Sequence, residues 1–328
     1  MKFRFVESLE LDTYWNLALE NKLFDECRDD EFTLYLWRSR NAVVVGRSQD
    51  VYSECNLKFM KQAGIQIARR FTGGGAVFQD LGNTNFAFIM PRRLYNLPYQ
   101  FNLMTEALKN LSINAEFSGR NDILVDGKKI SGSAFYHSKD KAFHHGTLLI
   151  NSDLTRLTKC LNPSESKLAS KAITSVKSRV VNLKDHNKEL DHKMVKRALH
   201  EMWCIKAGYR IPIEQYSRGN LDIDELYNRY SSQSWIFEKP SEFDVSYGRR
   251  FPWGEMQFRF QIMKGRIRKI NLSSDSMYPN LIDLIKKSLT GKRYTIDGIF
   301  YALPQNILKD KGQQQILNDI SALIRESI

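Results

Sequence analysis

Cysteine is scarce in this sequence, and no stretch is apolar enough to cross a membrane. Four cysteines are scattered over 328 residues, at positions 27, 55, 160 and 204. Neither a Cys-x-x-Cys pair nor a Cys/His cluster with metal-ligand spacing occurs, which argues against structural zinc. No apolar run approaches the roughly 20 residues of a membrane-spanning helix. We therefore expect a protein of a reducing compartment that has no membrane partner.

Several common catalytic signatures are absent as well. The chain contains no GxxxxGK[ST] phosphate loop, no GxGxxG dinucleotide turn and no GxSxG nucleophile elbow. These absences argue against P-loop, Rossmann and serine-hydrolase chemistry. The opening stretch, "MKFRFVESLE", has early acidic residues and no apolar core after a basic segment. It does not resemble a targeting peptide, so we expect a cytoplasmic protein.

Positive charge is what the chain has in excess. Its net charge is +12, in a composition of 42% apolar and 26% charged residues that is typical of a globular protein. The basic residues are spread out, apart from short groups such as "KGRIRK" around Arg266 and "KSRVV" around Arg179. Such a balance suits nucleic acid, an anionic substrate or an acidic protein partner. It also suits a basic surface that serves only solubility.

The apolar pattern predicts a large, antiparallel-rich α/β domain followed by a small α/β domain. We place these at residues 1–236 and 247–328, with a linker at 237–246. The links between the strands predicted near the glycines are too short for parallel crossovers, so we expect antiparallel neighbours. A β-meander is predicted over 121–150, and a hairpin is expected to turn at Lys264-Gly265. Further predicted elements are a helix from the N-cap Asp12, a helix from Ser53 to Gly64, strands at 65–71, 76–80 and 84–90, and helices near 99–112, 153–161 and 191–206.

The stretch "RRFTGGGAVFQD", residues 69–80, contains three adjacent glycines. Glycine weakens helices and strands, so some use of bare backbone is expected here. Without a Walker or Rossmann pattern, the segment is best interpreted as a turn between strands. Its N–H groups could bind an anion, with added charge from Arg70. The alternative is a purely structural corner.

A second stretch, "GRNDILVDGKKISGSA", combines an acid and a lysine on a predicted hairpin. Asp122 begins one strand and Lys129 begins its partner. A carboxylate can hold Mg²⁺ on a nucleotide, and a lysine can neutralise an oxyanion. The small residues at 131–134 would leave room for a ligand, although a solvated hairpin is the alternative. In "FHHGTLLI", His144 and His145 fall on opposite faces of a strand, so we expect one of them to line the site.

Taken together, these segments resemble the lipoate–protein ligase A family over essentially the whole chain. The stretches that carry the resemblance are "LALE", "LWRSRNAVVVGRSQD", "ECN", "ARRFTGGGAVFQDLGNTNF", "SGRNDILV", "KKISGSA", "FHHGTLLINSDL", "LNPSESKL" and "KAITSVKSRVVNL".

The resemblance implies an α/β fold of the α+β type: a mixed, largely antiparallel sheet with flanking helices, plus a small C-terminal accessory domain. It also implies a reaction in two steps. (R)-Lipoate and MgATP would give lipoyl-AMP and pyrophosphate, and the lipoyl group would then pass to a lysine of an acceptor protein. The implied acceptors are acidic lipoyl domains of 2-oxoacid dehydrogenase E2 subunits or the glycine-cleavage H protein. No nucleic-acid partner is expected, and we expect a monomer.

The resemblance further implies roles for individual residues. Lys129 would bridge the lipoyl carbonyl and the α-phosphate, and Asp122 would hold Mg²⁺. The implied lipoate pocket comprises Trp37, Val44, Val77 and Gln79. The implied ATP and lipoyl-AMP contacts are Arg70, Gly73, Gly74, Gly75, Ala76, Val77, Phe78, Asn83, Asn121, Asp122, Lys129, Ala134, His145 and Thr147.

Two departures from the family and two rival functions bear on this interpretation. Gln79 stands where relatives often have His, and Tyr136 stands where Arg is often found. The nearest rival is an ATP-independent octanoyl or lipoyl transferase of the same fold. A thioester-forming transferase needs a nucleophilic cysteine, for which Cys160 is the candidate. A non-catalytic nucleic-acid binder is the second rival, and it would have no need of Lys129.

Overall fold

The computed structural model describes residues 1–119, 121–162, 180–237, 245–305 and 310–328. The stretches "LNPSESKL" and "KAITSVKSRVVNL" fall largely outside these residues, as does most of the predicted linker. Two compact units are present. The N-terminal unit comprises residues 1–44, 52–70 and 76–236. The C-terminal unit comprises residues 45–51, 71–75 and 237–328, so it includes two short segments from the first quarter of the chain.

An eight-stranded sheet is the frame of the N-terminal unit. Its order is β11-β1-β2-β6-β10-β9-β8-β7. The pairs β1–β2 and β1–β11 are parallel, and the other pairs are antiparallel, which confirms the predicted mixed, largely antiparallel sheet. The strands are β1 (Lys2–Ser8), β2 (Glu31–Trp37), β6 (Asn83–Pro91), β7 (Glu116–Phe117), β8 (Asp122–Val125), β9 (Lys128–His137), β10 (Lys141–Leu149) and β11 (Ile213–Tyr216).

The predicted meander is confirmed as β8, β9 and β10, which pair antiparallel in sequence order. The turn between β8 and β9 has positive φ at both Asp126 (49°) and Gly127 (71°). Two left-handed residues form the type I′ turn that suits a two-residue hairpin, because its twist matches that of the strands. Local sequence therefore sets this part of the sheet.

Helices cover both faces of the large sheet. One face packs against α4 and α7 in an apolar core that includes Phe101, Leu103, Leu199 and Trp203. Helix α1 lies against the other face and begins at its predicted N-cap Asp12. The helices before residue 237 are α1 (Thr13–Asp25), α2 (Val51–Glu54), α3 (Leu57–Gln62), α4 (Leu97–Lys109), α5 (Leu154–Cys160), α6 (Leu183–His186), α7 (His192–Ala207), α8 (Asp224–Ser231) and α9 (Gln233–Ile236).

The second sheet of the N-terminal unit corrects one expectation. It comprises β3 (Asn41–Val45), β4 (Gln66–Arg69) and β5 (Val77–Asp80) in the order β4-β3-β5. Strands β4 and β5 are therefore separated by β3, and β6 belongs to the other sheet. The prediction of antiparallel neighbours across the glycines was wrong, because β3, from 20 residues earlier in the chain, takes the central position. The helix predicted from Ser53 is also two helices, and α3 has Asn56 as its N-cap.

The C-terminal unit is a three-stranded antiparallel sheet packed against helices. Strand β13 lies between β12 and β14, and the β13–β14 hairpin turns at Lys264 and Gly265, as predicted, with φ of 52° and 69°. Met256, Phe258 and Phe260 lie in its apolar core with Ile282 and Ile320. The elements are β12 (Val245–Phe251), β13 (Gly254–Met263), β14 (Arg266–Ser274), α10 (Pro279–Leu289), α11 (Ile296–Phe300) and α12 (Lys311–Ser327).

Among the residues that the structure describes, no helix has both the length and the apolar character needed to cross a membrane.

Candidate functional site

Lys129 and Asp122 form an ion pair over a glycine. Lys129 Nζ lies 2.8 Å from Asp122 Oδ1, and both side chains are about one-third exposed. A Cβ atom added to Gly132 would lie 2.8 Å from both Nζ and Cε of Lys129. Gly132 therefore provides the space in which the lysine side chain lies. The carboxylate atom Asp122 Oδ1 is buried, and the Lys129 ammonium provides its opposite charge.

A β-bulge brings Lys129 to this position. Ser131 pairs with Ile123, but Lys129 pairs with Leu124, so Ile130 is left without a partner on β8. Alternation along a regular strand would direct Lys129 and Gly132 to opposite faces of the sheet. The extra residue changes that alternation and re-aims the lysine. As a result, Lys129 and Gly132 lie on the same face.

Asn121 is held in place by Ser133 of the neighbouring strand. The side-chain amide of Asn121 donates to the backbone carbonyl of Ser133 at 3.3 Å, and the backbone carbonyl of Asn121 accepts from the backbone amide of Ser133 at 2.8 Å. On the opposite face, Ser133 Oγ lies 3.0 Å from His144 Nε2, and Gln100 Oε1 lies 2.7 Å from His144 Nδ1. Both ring nitrogens of His144 are thus occupied. Burial lowers the pKa of His144 well below its usual value, so the ring is neutral.

The face that carries Gly132 also carries several other predicted site residues. Tyr35, Ala87, His145 and Ala134 are consecutive cross-strand partners over four strands. The adjacent row joins Trp37 to Asn85 and Asn85 to Thr147. The sheet register therefore brings Trp37, Ala134, His145 and Thr147 together on one face, which α1 covers. We name it the α1 face.

Glu20 of α1 is a buried charged residue that the sequence reasoning missed. Its side chain is fully buried, its Oε1 accepts from Trp37 Nε1 at 2.9 Å, and its Oε2 lies 3.3 Å from His145 Nδ1. Glu20 belongs to the stretch "LALE", but nothing in that stretch distinguishes its glutamate from an exposed helix residue. Helix α1 is buried on nearly every side, so helical periodicity gave little indication of which polar residue points inward.

Arg70 is buried beside the second sheet of the N-terminal unit. Its Nη1 donates to the Val44 carbonyl at 3.1 Å, and only 5% of the residue is exposed. Burial lowers the pKa of Arg70 to about 10, while the negative charge of Glu20 acts in the opposite direction. Arg70 therefore remains charged near neutral pH. A buried cation of this kind is costly unless partners compensate for the lost hydration.

The predicted lipoate-pocket residues lie in two places, with Trp37 on the α1 face and the other three in the second sheet. Hydrogen bonds between side-chain amides connect the two places. Val44 pairs with Val77 and Ala42 pairs with Gln79 in the second sheet. Gln79 Oε1 accepts from Asn85 Nδ2 at 3.4 Å, and Asn85 Oδ1 accepts from Asn83 Nδ2 at 3.1 Å. Since Asn85 is the cross-strand partner of Trp37, these hydrogen bonds link Gln79 to the α1 face. Gln79, one of the two residues that depart from the family pattern, therefore lies at the end of a buried network of side-chain amides. Phe78, which pairs with Val43, is also buried.

The other departure, Tyr136, packs edge-on against Phe24 of α1 with ring centroids 5.5 Å apart. The ring occupies an aromatic cluster, because Phe24 also contacts Phe143 at 5.8 Å. The structure therefore gives Tyr136 a packing role at this point.

The three glycines belong to the C-terminal unit, and they differ from one another. Gly74 has φ of 89°, and its amide donates to the Ser276 carbonyl at 3.2 Å. A Cβ on Gly73 would lie 2.2 Å from that same carbonyl oxygen. Packing and backbone conformation thus require glycine at 73 and 74. Gly75 is exposed, and a Cβ there would meet nothing within 4 Å, so the fold does not require this third glycine. Its predicted contact with the adenylate stays a prediction, as does that of Ala76.

A cluster of metal ligands and a nucleophilic cysteine are the two other kinds of reactive site to consider. Within the described ranges, no three His, Cys, Asp or Glu side chains cluster as metal ligands. Cys160 is fully buried at the end of α5, and burial raises the pKa of its thiol to about 11. A thiol of this kind is almost entirely protonated near pH 7 and is a weak nucleophile.

Known proteins are similar to this chain along nearly its whole length. The lipoyl protein ligase A/B catalytic domain family matches residues 12–203, and the bacterial lipoate protein ligase C-terminus family matches residues 241–324. Lipoate-protein ligase A of Psychrobacter cryohalolentis is 39% identical over 305 residues, which cover 90% of this chain and 89% of that protein.

Solved structures show the same relationship. P. falciparum LipL1 in complex with lipoate superposes with a TM-score of 0.86 at 29% identity, covering 98% of this chain and all of that one. Lipoate-protein ligase A bound with ATP has a TM-score of 0.60 at 25% identity, covering 72% of this chain and 98% of that chain. The chain therefore belongs to the lipoate–protein ligase A family, and it is a lipoate–protein ligase with the fold of that family.

Proposed function

We propose that the enzyme activates lipoate with ATP and then transfers the lipoyl group to a lysine of an acceptor protein. In the first step a lipoate carboxylate oxygen attacks the α-phosphorus of ATP, and pyrophosphate leaves. In the second step the neutral ε-amine of the acceptor lysine attacks the lipoyl carbonyl, AMP leaves, and the amine loses its extra proton. The products are pyrophosphate, AMP and an amide-linked lipoyl group.

The observation that carries this proposal is the Lys129–Asp122 pair above Gly132. The first step brings two anions together, so a cation between them lowers the repulsion in the transition state. The Lys129 ammonium has three N–H donors, so it can contact Asp122 and still donate to a carboxylate and a phosphate. Gly132 leaves the space that the lysine needs to reach both groups. We assign Lys129 this bridging role.

Asn121 and Asp122 are the proposed polar contacts at the nucleotide phosphates. Carboxylate oxygens are the ligands that Mg²⁺ prefers, and Asp122 lies beside the lysine that is assigned to the phosphates, so we assign Asp122 to Mg²⁺ bound to ATP. Bound Mg²⁺ would supply further positive charge on the phosphates. Ser133 forms two hydrogen bonds with Asn121 and is itself hydrogen-bonded to His144, which supports the position of Asn121.

The α1 face is the proposed surface for the lipoyl chain and its carbonyl. Ala134 and Thr147, which share this face with His145 and Trp37, have small side chains. A thin acyl chain needs a narrow, largely apolar slot with few polar groups at its ends. The solved relatives support this assignment, because P. falciparum LipL1 is in complex with lipoate and another relative is bound with ATP. A covered site would also protect a mixed anhydride from water.

The ATP-independent transferase is less well supported than the ligase. Its thioester intermediate would require a reactive cysteine, whereas the Cys160 thiol is buried and has a raised pKa. The ligase needs no such residue.

Incubation with lipoate, ATP and an apo lipoyl domain tests the proposal. We expect AMP and pyrophosphate to form in amounts that depend on lipoate, and the acceptor mass to increase by one lipoyl group only when ATP is present. Acyl transfer from a lipoylated or octanoylated donor without ATP, abolished in Cys160→Ser, would instead identify the transferase. A bipartite archaeal relative has an E2 lipoyl domain as its partner, which makes that domain the first acceptor to test. The preferred acceptor, the cytoplasmic location and the monomeric state stay predictions.

A further inference from the structure

The C-terminal unit carries much of the positive charge of the chain. Residues 245–328 contain 14 Lys and Arg against 7 Asp and Glu. Six of these cations lie at one end of the unit, on the β13–β14 hairpin and on the segment 291–293 beside it. We name them the hairpin-tip cations: Lys264, Arg266, Arg268, Lys269, Lys292 and Arg293. All six residues are exposed.

The backbone joins these cations into one surface. The Ile267 amide donates to the Lys292 carbonyl at 2.9 Å, and the Gly291 amide donates to the Ile267 carbonyl at 2.8 Å. Arg266 and Arg293 are direct antiparallel partners. Like charges opposite one another in a sheet destabilise it. The fold therefore tolerates an arrangement that costs stability.

A β-bulge increases the exposure of the charge. Gln261 pairs with Lys269, but Ile262 pairs with Ile267, so Arg268 has no partner on β13. In a regular strand, Arg268 and Lys269 would point to opposite faces, and one would turn towards the core. At the bulge, both of these consecutive cations are exposed, while Ile267 and Ile270 are buried.

No ion pair relieves this repulsion among the residues that the structure describes. Of the carboxylates near these cations in sequence, Asp275 lies near Arg250 and Asp283 pairs with Arg47. Asp297, four residues after Arg293, forms no ion pair with the residues that the structure describes. Arg266 donates to the Gly291 carbonyl at 3.0 Å, which still leaves the net charge of the surface uncompensated.

We propose that the hairpin-tip cations bind an acidic surface of the lipoyl acceptor protein. This inference rests on the proposed function, since a lipoate–protein ligase must capture a second protein. A compact positive patch attracts an acidic partner over several ångströms and raises the rate of productive encounter. Single-stranded nucleic acid is the other polyanion to consider, but its binding sites combine cations with aromatic stacking platforms. The aromatic residue beside these cations, Tyr294, is half-buried and packs against Phe260, so it does not offer an open stacking platform.

The test is a charge reversal of the three lysines in this surface, Lys264→Glu/Lys269→Glu/Lys292→Glu. Its control reverses three exposed lysines of the N-terminal unit, Lys58→Glu/Lys109→Glu/Lys188→Glu, with the same change in net charge. Both full-length proteins are assayed for lipoyl-AMP formation and for transfer to an apo E2 lipoyl domain of net negative charge. Binding of that domain is measured separately by calorimetry at low and at high salt.

We expect the hairpin variant to lose about tenfold in acceptor affinity and kcat/KM, with lipoyl-AMP formation within twofold of the wild type. The wild-type affinity should fall with rising salt, and that of the variant should change much less. An equal loss in the control, or no loss in the hairpin variant, would overturn the inference. So would tight oligonucleotide binding that only the hairpin variant loses while acceptor binding is unchanged.

Two readouts separate the possible failures. Absence of lipoyl-AMP formation by the wild type would contradict the proposed function. Calorimetry would still measure whether the hairpin-tip cations bind the acceptor domain. A structural role of the lysines predicts a lower melting temperature in the variant. Relief of like-charge repulsion predicts an unchanged or higher one.

Discussion

The two faces of the eight-stranded sheet are built by the same strands, yet they differ in chemistry. The face against α4 and α7 is apolar, and its buried histidine, His144, has both ring nitrogens hydrogen-bonded. The α1 face has buried polar and charged groups, among them Glu20 and Asn85. His144 and His145 are adjacent in sequence and point to opposite faces. One is neutral and held by neutral partners, and the other lies beside a carboxylate.

This difference indicates that the α4/α7 face serves mainly stability, whereas the α1 face carries the polar groups of the candidate site. A buried ionised group is costly, so its presence at a covered face indicates a use beyond packing. On the α4/α7 face, the buried His144 ring is hydrogen-bonded to Ser133 and Gln100. On the α1 face, Asn83 Oδ1 is buried without a hydrogen-bond partner, so a polar group there is still available. Four substitutions test this contrast.

Loss of the bridging lysine should have the largest effect. We expect Lys129→Ala to reduce lipoate-dependent ATP–pyrophosphate exchange by about 10²–10³-fold, since it removes a cation aimed at developing charge. The melting temperature should change little, because the ion pair with Asp122 is partly exposed. The adjacent, exposed lysine provides the control, so Lys128→Ala should retain full activity. Equal losses in both variants would contradict the assigned role.

Displacing the lysine should cost less than removing it. In Gly132→Ala the added methyl would lie 2.8 Å from Lys129 Nζ and Cε, so the side chain must move. A displacement of about 1 Å lowers the rate by up to about 100-fold. The fold should persist, since the end of a lysine side chain moves easily. In the double variant with Lys129→Ala, the alanine at 132 should add no further loss in the same exchange assay.

Removal of the buried charge on α1 should lower stability first and activity second. Glu20→Gln keeps an acceptor for Trp37 but removes the negative charge beside His145 and near Arg70. We expect the free energy of unfolding to fall by about 3 kcal/mol and the KM for lipoate to rise. The control is Glu26→Gln, whose carboxylate forms an exposed pair with Lys22 and should matter by less than about 1 kcal/mol. Denaturant unfolding of both variants gives the comparison.

The neutral histidine of the other face should have the smallest effect on activity, and its effect should depend on pH. Burial lowers the pKa of His144 below 6.5, so the unfolded chain binds the proton more tightly. Its contribution to stability is therefore complete above pH 6.5 and is lost as the pH falls towards the folded pKa, by at most about 1.4 kcal/mol per pH unit. His192, whose pKa burial lowers to about 4, acts in the same direction. Unfolding of His144→Gln at several pH values should give a shallower slope than the wild type. A slope equal to that of the wild type would show that His144 does not titrate on unfolding.

Much of the fold could be predicted from the sequence where the determinants are local. The β8–β9 hairpin and the hairpin at Lys264-Gly265 depend on short turns with left-handed residues, which sequence identifies well. Asp12 was correctly expected to cap α1. The position of β3 between β4 and β5 could not be predicted, because strand order depends on contacts between distant segments. The prediction of adjacent strands across the glycines failed for that reason.

Part of the candidate site could be predicted in the same sense. Lys129 and Asp122 stood out as an acid and a lysine on a hairpin, and they do form a pair at 2.8 Å. Two further features of the site could not be predicted from the sequence. The bulge at Ile130, which turns Lys129 to the side of Gly132, leaves no mark in the residue pattern. Glu20 is buried by the packing of α1 on the sheet, and nothing local separates it from a solvent-exposed glutamate.

The sequence by itself determined the residue types, the local turns and the family to which they belong. Backbone conformation at glycines, caps and hairpins depends on neighbours within a few residues, so it is encoded locally. Tertiary structure decided which side chains share a face and which charges are buried. Register, bulges and helix docking arise from the simultaneous burial of apolar surface by distant segments. Those contacts exist only in the folded chain, and they bring Lys129 to Gly132 and leave the hairpin-tip cations exposed.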